Sequence, residues 1–276
     1  DSIWAAADQR TRGFLIGCTA GRTTLAGEGL QHQDGHCLLH ASTVPNCRSY
    51  DAAFAYEIAI LVRDGLRRMY EDQEDVFYYL TLENQPYAHP PIARGCETGV
   101  IKGMYRLREA QDSQGKPRIH LFGSGAILPE ALEAQSLLAE HFGVAADVWS
   151  VTSYTELKRD AMAVERWNMR NPQQAPKQSY LAQQLAGQDW PIVAVTDYVR
   201  ALPDQIAPWL SSRMITLGTD GFGRSETREA LRQHFEIDAK SVAYAAVCSL
   251  AQKLLADAVG KAAKLFAIDA EKQPAW

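Results

Sequence analysis

Between Gly27 and His36 the sequence reads GEGLQHQDGH, which sets His32 and His36 four residues apart with Glu28 and Asp34 around them. Histidine exchanges protons near neutral pH, and glycine lets backbone approach a bound group closely, so this string can line a site for acid–base chemistry. The same residues could ligate a metal. Ligands four apart converge only on a helix, however, and Gly27, Gly29 and Gly35 disfavour one. A solvated loop with incidental histidines is the plain alternative.

A second string, LGTDGFGRSETRE over Leu217–Glu229, ends a strand in glycines and leads into a helix with Ser225 as its cap. Helix N-terminal N–H groups in that layout can face an anion. Neither GxGxxG nor GxxxxGK[ST] is present, so a tight turn into a capped helix is the simpler reading. Phe122-Gly123-Ser124-Gly125 reads likewise as a strand-to-helix turn. His89, His120, His141 and His234 are isolated from one another and read as ordinary surface or packed residues. No GxSxG occurs, which argues against a serine hydrolase.

The elements that must position these residues follow from periodicity. A short helix is expected over Ile3–Asp8 and a buried strand over Gly13–Cys18, after which Ala20–His36 has no regular period. Apolar residues at Phe54, Ile58, Leu61, Val62, Leu66 and Met69, three and four apart, predict a helix from Asp51 to Tyr70 with Asp51 as its cap. DVFYYLTL, Asp75–Leu82, is aromatic and β-branched and predicts a strand. Glu83–Ala93, with Pro86, Pro90 and Pro91, is the natural linker, so the expected division is residues 1–90 and 91–276.

Beyond the linker the sequence predicts a hairpin-like pair, Gly99–Glu109 and Pro117–Gly123, then a helix Pro129–Phe142 and a strand Asp147–Thr152. A helix from Tyr154 toward Trp167, a strand Pro191–Thr196, a helix Val199–Leu210 and a strand Met214–Gly218 follow, with a helical tail from Ser225 to Ile268. Helices alternating with strands argue for an α/β fold with a mainly parallel sheet covered on both faces.

Composition excludes several classes. With 46% hydrophobic and 22% charged residues, the 276-residue chain has ordinary globular composition. Its 28 Lys and Arg against 33 Asp and Glu give a net charge of -5, so no global basic field exists to hold nucleic acid. No apolar run approaches the roughly 18 residues of a membrane helix, so no membrane partner is expected. Five cysteines without a CxxC pair read as reduced thiols, and no leader-like block opens the chain; both point to the cytoplasm. The start at Asp1, without an initiator Met, leads to the expectation that the chain is a piece of something longer.

Taken together, GRTTLAGEGLQHQDGH, the VPNCRSYD step at Val44–Asp51, the helix after it and LGTDGFGRSETRE resemble the homodimeric, thiamine-diphosphate-dependent decarboxylating component of bacterial pyruvate dehydrogenase complexes, a relative of transketolase. The resemblance runs from Asp1 to about Ile268 and implies the C-terminal third of that enzyme. The chain would then hold the end of a pyrimidine-binding α/β domain, followed by a transketolase C-terminal-like α/β domain. The family decarboxylates pyruvate and passes the acetyl group to the lipoyl arm of an acetyltransferase component. By this resemblance His32, in GLQH, lies in the active site, with a role in hydrogen bonding or proton transfer. Glu28 stands four residues before it, where the similar transketolase string GEDGPTH carries an acid.

The implied cofactors are thiamine diphosphate and magnesium, and the implied partners are a second copy of the protein, the acetyltransferase component and pyruvate. The GDG and Asn of the family's diphosphate-and-magnesium motif, and the glutamate that activates the aminopyrimidine ring, do not occur in this chain. It is therefore expected to bind no cofactor tightly and to be inactive alone. Two other readings stand beside this one: a transketolase-like or other 2-oxo acid enzyme, and a non-catalytic dimerisation or assembly module.

Overall fold

The computed structural model describes residues 2–18, 20–25, 30–111, 113–254 and 256–276. After a short helix α1 (Ser2–Asp8) comes β1 (Phe14–Cys18), and after α2 (Cys37–Ser42) comes β2 (Cys47–Asp51). Helix α3 (Ala55–Leu66) runs into a π turn over Arg67–Glu71, and β3 (Phe77–Leu82) follows. The strands make a parallel sheet of order β1-β3-β2, with Phe14 opposite Tyr78 and Cys47 opposite Phe77. The aromatic strand takes the centre because both of its faces must be covered.

Two expectations need correction here. The strand at 14–18 forms but is not buried: it lies at the sheet edge, with Leu15 37% and Ile16 43% exposed. Asp51 is not a helix cap. It is the buried last residue of β2, and α3 starts at Ala55 after an extended Phe54. Glu57 reaches back instead to accept the Ala53 and Phe54 N–H groups at 2.7 and 3.1 Å, satisfying donors that Asp51 was expected to serve.

Residues 83–93 carry no regular structure, and Tyr87 and His89 of this stretch pack their rings near Phe54. Then come α4 (Glu97–Lys102), β4 (Tyr105–Arg108), β5 (Arg118–Gly123), α5 (Leu128–Phe142), β6 (Ala145–Ser150), α6 (Tyr154–Arg170) and α7 (Tyr180–Gln184). The chain continues with β7 (Ile192–Val195), α8 (Ala201–Asp204), β8 (Met214–Leu217), α9 (Arg228–Phe235), α10 (Ala239–Ser249) and α11 (Ala258–Leu265). The second sheet has the order β4-β6-β5-β7-β8, and only β4 runs antiparallel to its neighbour.

The hairpin expected from residues 99–109 and 117–123 is therefore absent. The first part splits into α4 and β4, and β6 lies between β4 and β5. Strand β5 is buried along nearly its whole length and takes parallel neighbours on both sides, whereas β4, buried at Tyr105 only, suits an edge. The helix expected over 199–210 is also broken, into α8 and a 3-10 turn Ala207–Trp209, because Pro203 and Pro208 cannot donate the ladder hydrogen bonds.

Alternation along the strands sends side chains to two cores. Ile119, Leu121, Val148, Val193 and Val195 face α5 and the C-terminal helices. Phe122, Trp149, Ile192 and Ala194 face α6, α7 and α8. His120 is an ordinary packed residue: its Nδ1 accepts the Trp149 indole N–H at 3.1 Å, and burial pushes its pKa down to about 4. Among the described residues, no helix is long and apolar enough to cross a membrane.

The connections leaving the central strands β5 and β7 diverge, since the chain passes from β5 to β6 on one side and reaches β7 on the other. Open α/β sheets take ligands in the crevice at the carboxyl ends of such strands. In this chain that crevice receives the carboxyl ends of the first sheet.

Candidate functional site

The two glycine-bearing strings singled out by sequence meet in space. Their meeting is built on Asp197, which follows β7 and is 1% exposed. Its carboxylate accepts the N–H and hydroxyl of Thr23 at 2.8 and 2.6 Å, and those of Thr24 at 3.0 and 2.7 Å. A side chain on Gly21, at φ +86°, would strike the same carboxylate, so glycine is required both by conformation and by close approach. Burial raises the Asp197 pKa above the usual range, and the Thr23 and Thr24 donors oppose the rise.

Arg22, 3% exposed, sends its guanidinium to the backbone carbonyls of Thr219 and Gly221. Burial lowers its pKa, and the nearby charges of Asp34, Asp197 and Asp220 pull it back up. Its guanidinium lies where a Gly35 side chain would be, which explains a glycine next to His36. Arg228, in the first turn of α9, donates to the Thr24 carbonyl at 2.6 Å and to Asn84 at 3.1 Å. The start of α9 is thus not an anion site: Thr227, rather than the expected Ser225, caps it, and Arg228 is engaged with the first sheet's loop.

His32 ends a single 3-10 turn, Leu30–His32, in which no residue is buried, and it is exposed to solvent beside the LGTDGFGR loop. Gln33, immediately after it, is 6% exposed and pairs with the backbone of Arg224. Glu28 lies outside the described residues. His36 is exposed and stacks on His40 at 6.3 Å, while Asp34 accepts the His36 and Cys37 N–H groups at 2.8 and 3.1 Å and so starts α2. Among the described residues, no group of three or more His, Cys, Asp or Glu side chains is set to hold a metal ion.

A buried carboxyl cluster that sequence reasoning missed lies beneath this wall. Asp51 accepts the Thr81 hydroxyl at 2.8 Å and lies against Gly125, whose φ is +47° and whose missing Cβ leaves room for that carboxylate. Burial, then the charges of Asp51 and Asp197, push Glu83 well above the ordinary carboxyl range. Burial raises Asp51 as well, against hydrogen bonds from Ser124 and Thr81. One signal was available for Asp197: an acid just after an apolar strand, as in AVTD, stands where parallel sheets place functional groups.

The family described as "Pyruvate dehydrogenase E1 component middle domain" matches residues 1–90, and "Transketolase-like TK C-terminal domain" matches residues 103–238. Proteins named pyruvate dehydrogenase E1 component from Pseudomonas aeruginosa and Escherichia coli K12 are each 50% identical over 280 residues, covering 99% of this chain and 31% of the relative. One from Mycobacterium tuberculosis is 49% identical over 91% of this chain and 27% of its own length. The chain thus spans about a third of the length of these relatives. Among solved structures, transketolase from Leishmania mexicana has a TM-score of 0.64 at 18% identity, covering 92% of this chain and 32% of that one. Transketolase from Campylobacter jejuni gives 0.62 at 18% identity, covering 90% and 33%. At that identity these two support the fold alone.

Proposed function

The chain belongs to the pyruvate dehydrogenase E1 component family, and from that premise we propose that it forms one wall of an active site that decarboxylates pyruvate and passes the acetyl group to the lipoyl arm of an acetyltransferase component. The observation that carries this reading is the joining of the Leu30–His32 turn to the TDGFGR loop through Arg22 and Gln33, which leaves His32 exposed beside that loop.

The described residues do not fit a cradle for a diphosphate and its magnesium. The Arg22 guanidinium is taken up by backbone carbonyls, and among the described residues no group of three or more His, Cys, Asp or Glu side chains is set to hold a metal ion. We therefore assign thiamine diphosphate and magnesium to a site completed by protein outside this chain, and derive no step through them. When bound, thiamine diphosphate supplies the nucleophilic carbon and the electron sink. What this chain supplies is a proton-handling group: His32 is the residue we assign to hydrogen bonding or proton transfer at the substrate, with Glu28 as its companion acid. The division of the chain at 90/91, a homodimeric assembly and a cytoplasmic location belong to the same proposal.

The test is an assay of the full-length protein that contains this chain. Pyruvate should be decarboxylated in preference to longer 2-oxo acids and ketose phosphates, and His32→Ala should lower kcat by about 10²–10⁴-fold. Turnover of ketose phosphates would support the transketolase-like reading. Unchanged kcat in His32→Ala, with assembly intact, would support the non-catalytic one.

A further inference from the structure

The structure around His32 assigns a role to its neighbour: we propose that Gln33 is a positioning residue for His32, and that residues of the transketolase-like part of the chain thereby take part in the reaction. The inference rests on the reading of His32 above.

The Gln33 amide is matched at both ends to one residue. Its Nε2 donates to the Arg224 carbonyl at 2.6 Å, and its Oε1 accepts the Arg224 N–H at 2.7 Å, so a side chain makes with a distant backbone the reciprocal pair that two strands make with each other. A third contact runs from Nε2 to the Leu25 carbonyl at 3.4 Å. With the residue 6% exposed, these bonds are shielded from water, and breaking them leaves donors and acceptors unpaired.

Among the described residues, the Gln33 pair with Arg224 is the side-chain anchor closest in sequence to His32. Its turn is closed by the Gln33 N–H to Leu30 carbonyl bond at 3.2 Å, and none of Leu30, Gln31 and His32 is buried. On this proposal the imidazole takes its place from the residue that follows it, in a segment that the Val199 N–H to Gly35 carbonyl bond at 3.1 Å also holds. The other side of the clamp is firm: Thr219 bonds the Tyr198 and Asp197 carbonyls, both at 2.9 Å, and Arg22 grips the Thr219 and Gly221 carbonyls. Gly223 completes the fit. A Cβ there would lie 2.5 Å from Gln33 Oε1 and 3.1 Å from the Leu30 carbonyl, so any side chain would push the turn away.

A displacement of about 1 Å at a catalytic group can cost on the order of a hundredfold in rate. Full-length protein is assayed for pyruvate decarboxylation as wild type, Gln33→Ala, His32→Ala and the double variant, with a thermal melt of each. Gln33→Ala is expected to lower kcat about tenfold to a hundredfold with KM for pyruvate unchanged, and to cause no further loss when His32 is already Ala. Gly223→Ala should reproduce the loss from the opposite side of the clamp. Gln33→Glu, which keeps the acceptor for the Arg224 N–H but not the donors, should retain part of the rate. An equal fold-loss from Gln33→Ala with and without His32 overturns the proposal while leaving the reading of His32 intact. A fully active His32→Ala enzyme overturns both. If Gln33→Ala fails to fold, the Gly223→Ala and His32→Ala pair decides by the same comparison.

Discussion

Asp51, Glu83 and Asp197 concentrate three carboxyl groups where the two sheets meet, each raised above its ordinary pKa with burial as the first cause. A carboxyl that binds its proton more tightly in the folded chain contributes stability that is complete below the ordinary carboxyl range. That stability drains away as pH rises through the raised value. The cluster should therefore make the protein lose stability as pH rises above the ordinary carboxyl range. Glu83→Gln cannot acquire the charge, so the fall in Tm with rising pH is expected to shrink, by about 2–4 °C for each kcal/mol recovered. Melting curves at a series of pH values would settle it, and an unaltered slope would show that the Glu83 charge is not the source.

Element by element, the two halves of the chain are joined by side chains that reach from one into the other. Glu57, in the first turn of α3 and fully buried, accepts the Tyr105 hydroxyl from β4 and the Ser150 hydroxyl from β6, each at 2.7 Å, besides starting its own helix. Arg159 of α6 donates to the Val44 carbonyl at 2.8 Å, and Ser153 donates to the Ser49 carbonyl at 2.6 Å. Removing the Glu57 carboxylate leaves buried N–H and O–H donors without partners, so Glu57→Ala should cost about 3 kcal/mol or more. Urea unfolding measures this, and a loss under about 1 kcal/mol would mean that water replaces the carboxylate. Helices with a long 3.6 period, such as α5 and α6, could be read from sequence because one face of each is buried over several turns. Strand β2 could not: RSYD offers no alternation, and its identity depends on pairing with β3.

For the molecule as a whole, the chain spans about a third of the length of its relatives, and the wall around His32 lies on its surface. On the proposed reading, the purified 276-residue chain should neither bind thiamine diphosphate with magnesium tightly nor decarboxylate pyruvate, whereas the full-length protein should do both. Titration calorimetry and a carbon dioxide release assay on the two proteins side by side are the measurement. Tight binding or turnover by the chain alone would contradict the assignment of the cofactor site to protein outside it.

The sequence by itself determined the alternation of strands and helices, the irregular stretch at 83–93, and the two strings that converge on one place. These are local properties: periodicity, turn chemistry and residue type act over a few neighbours. It also carried the family resemblance, because GLQH and TDGFGR stand in a fixed order. Only the tertiary structure decided that Asp51 ends a strand rather than capping a helix, that β6 separates β4 from β5, and that Thr23, Thr24 and Arg22 are fastened to residues some 170 to 200 positions away. Those outcomes depend on which buried donors find which acceptors across the whole chain. A carboxylate such as Asp197 satisfies the Thr23 and Thr24 donors only once the two sheets have been brought end to end.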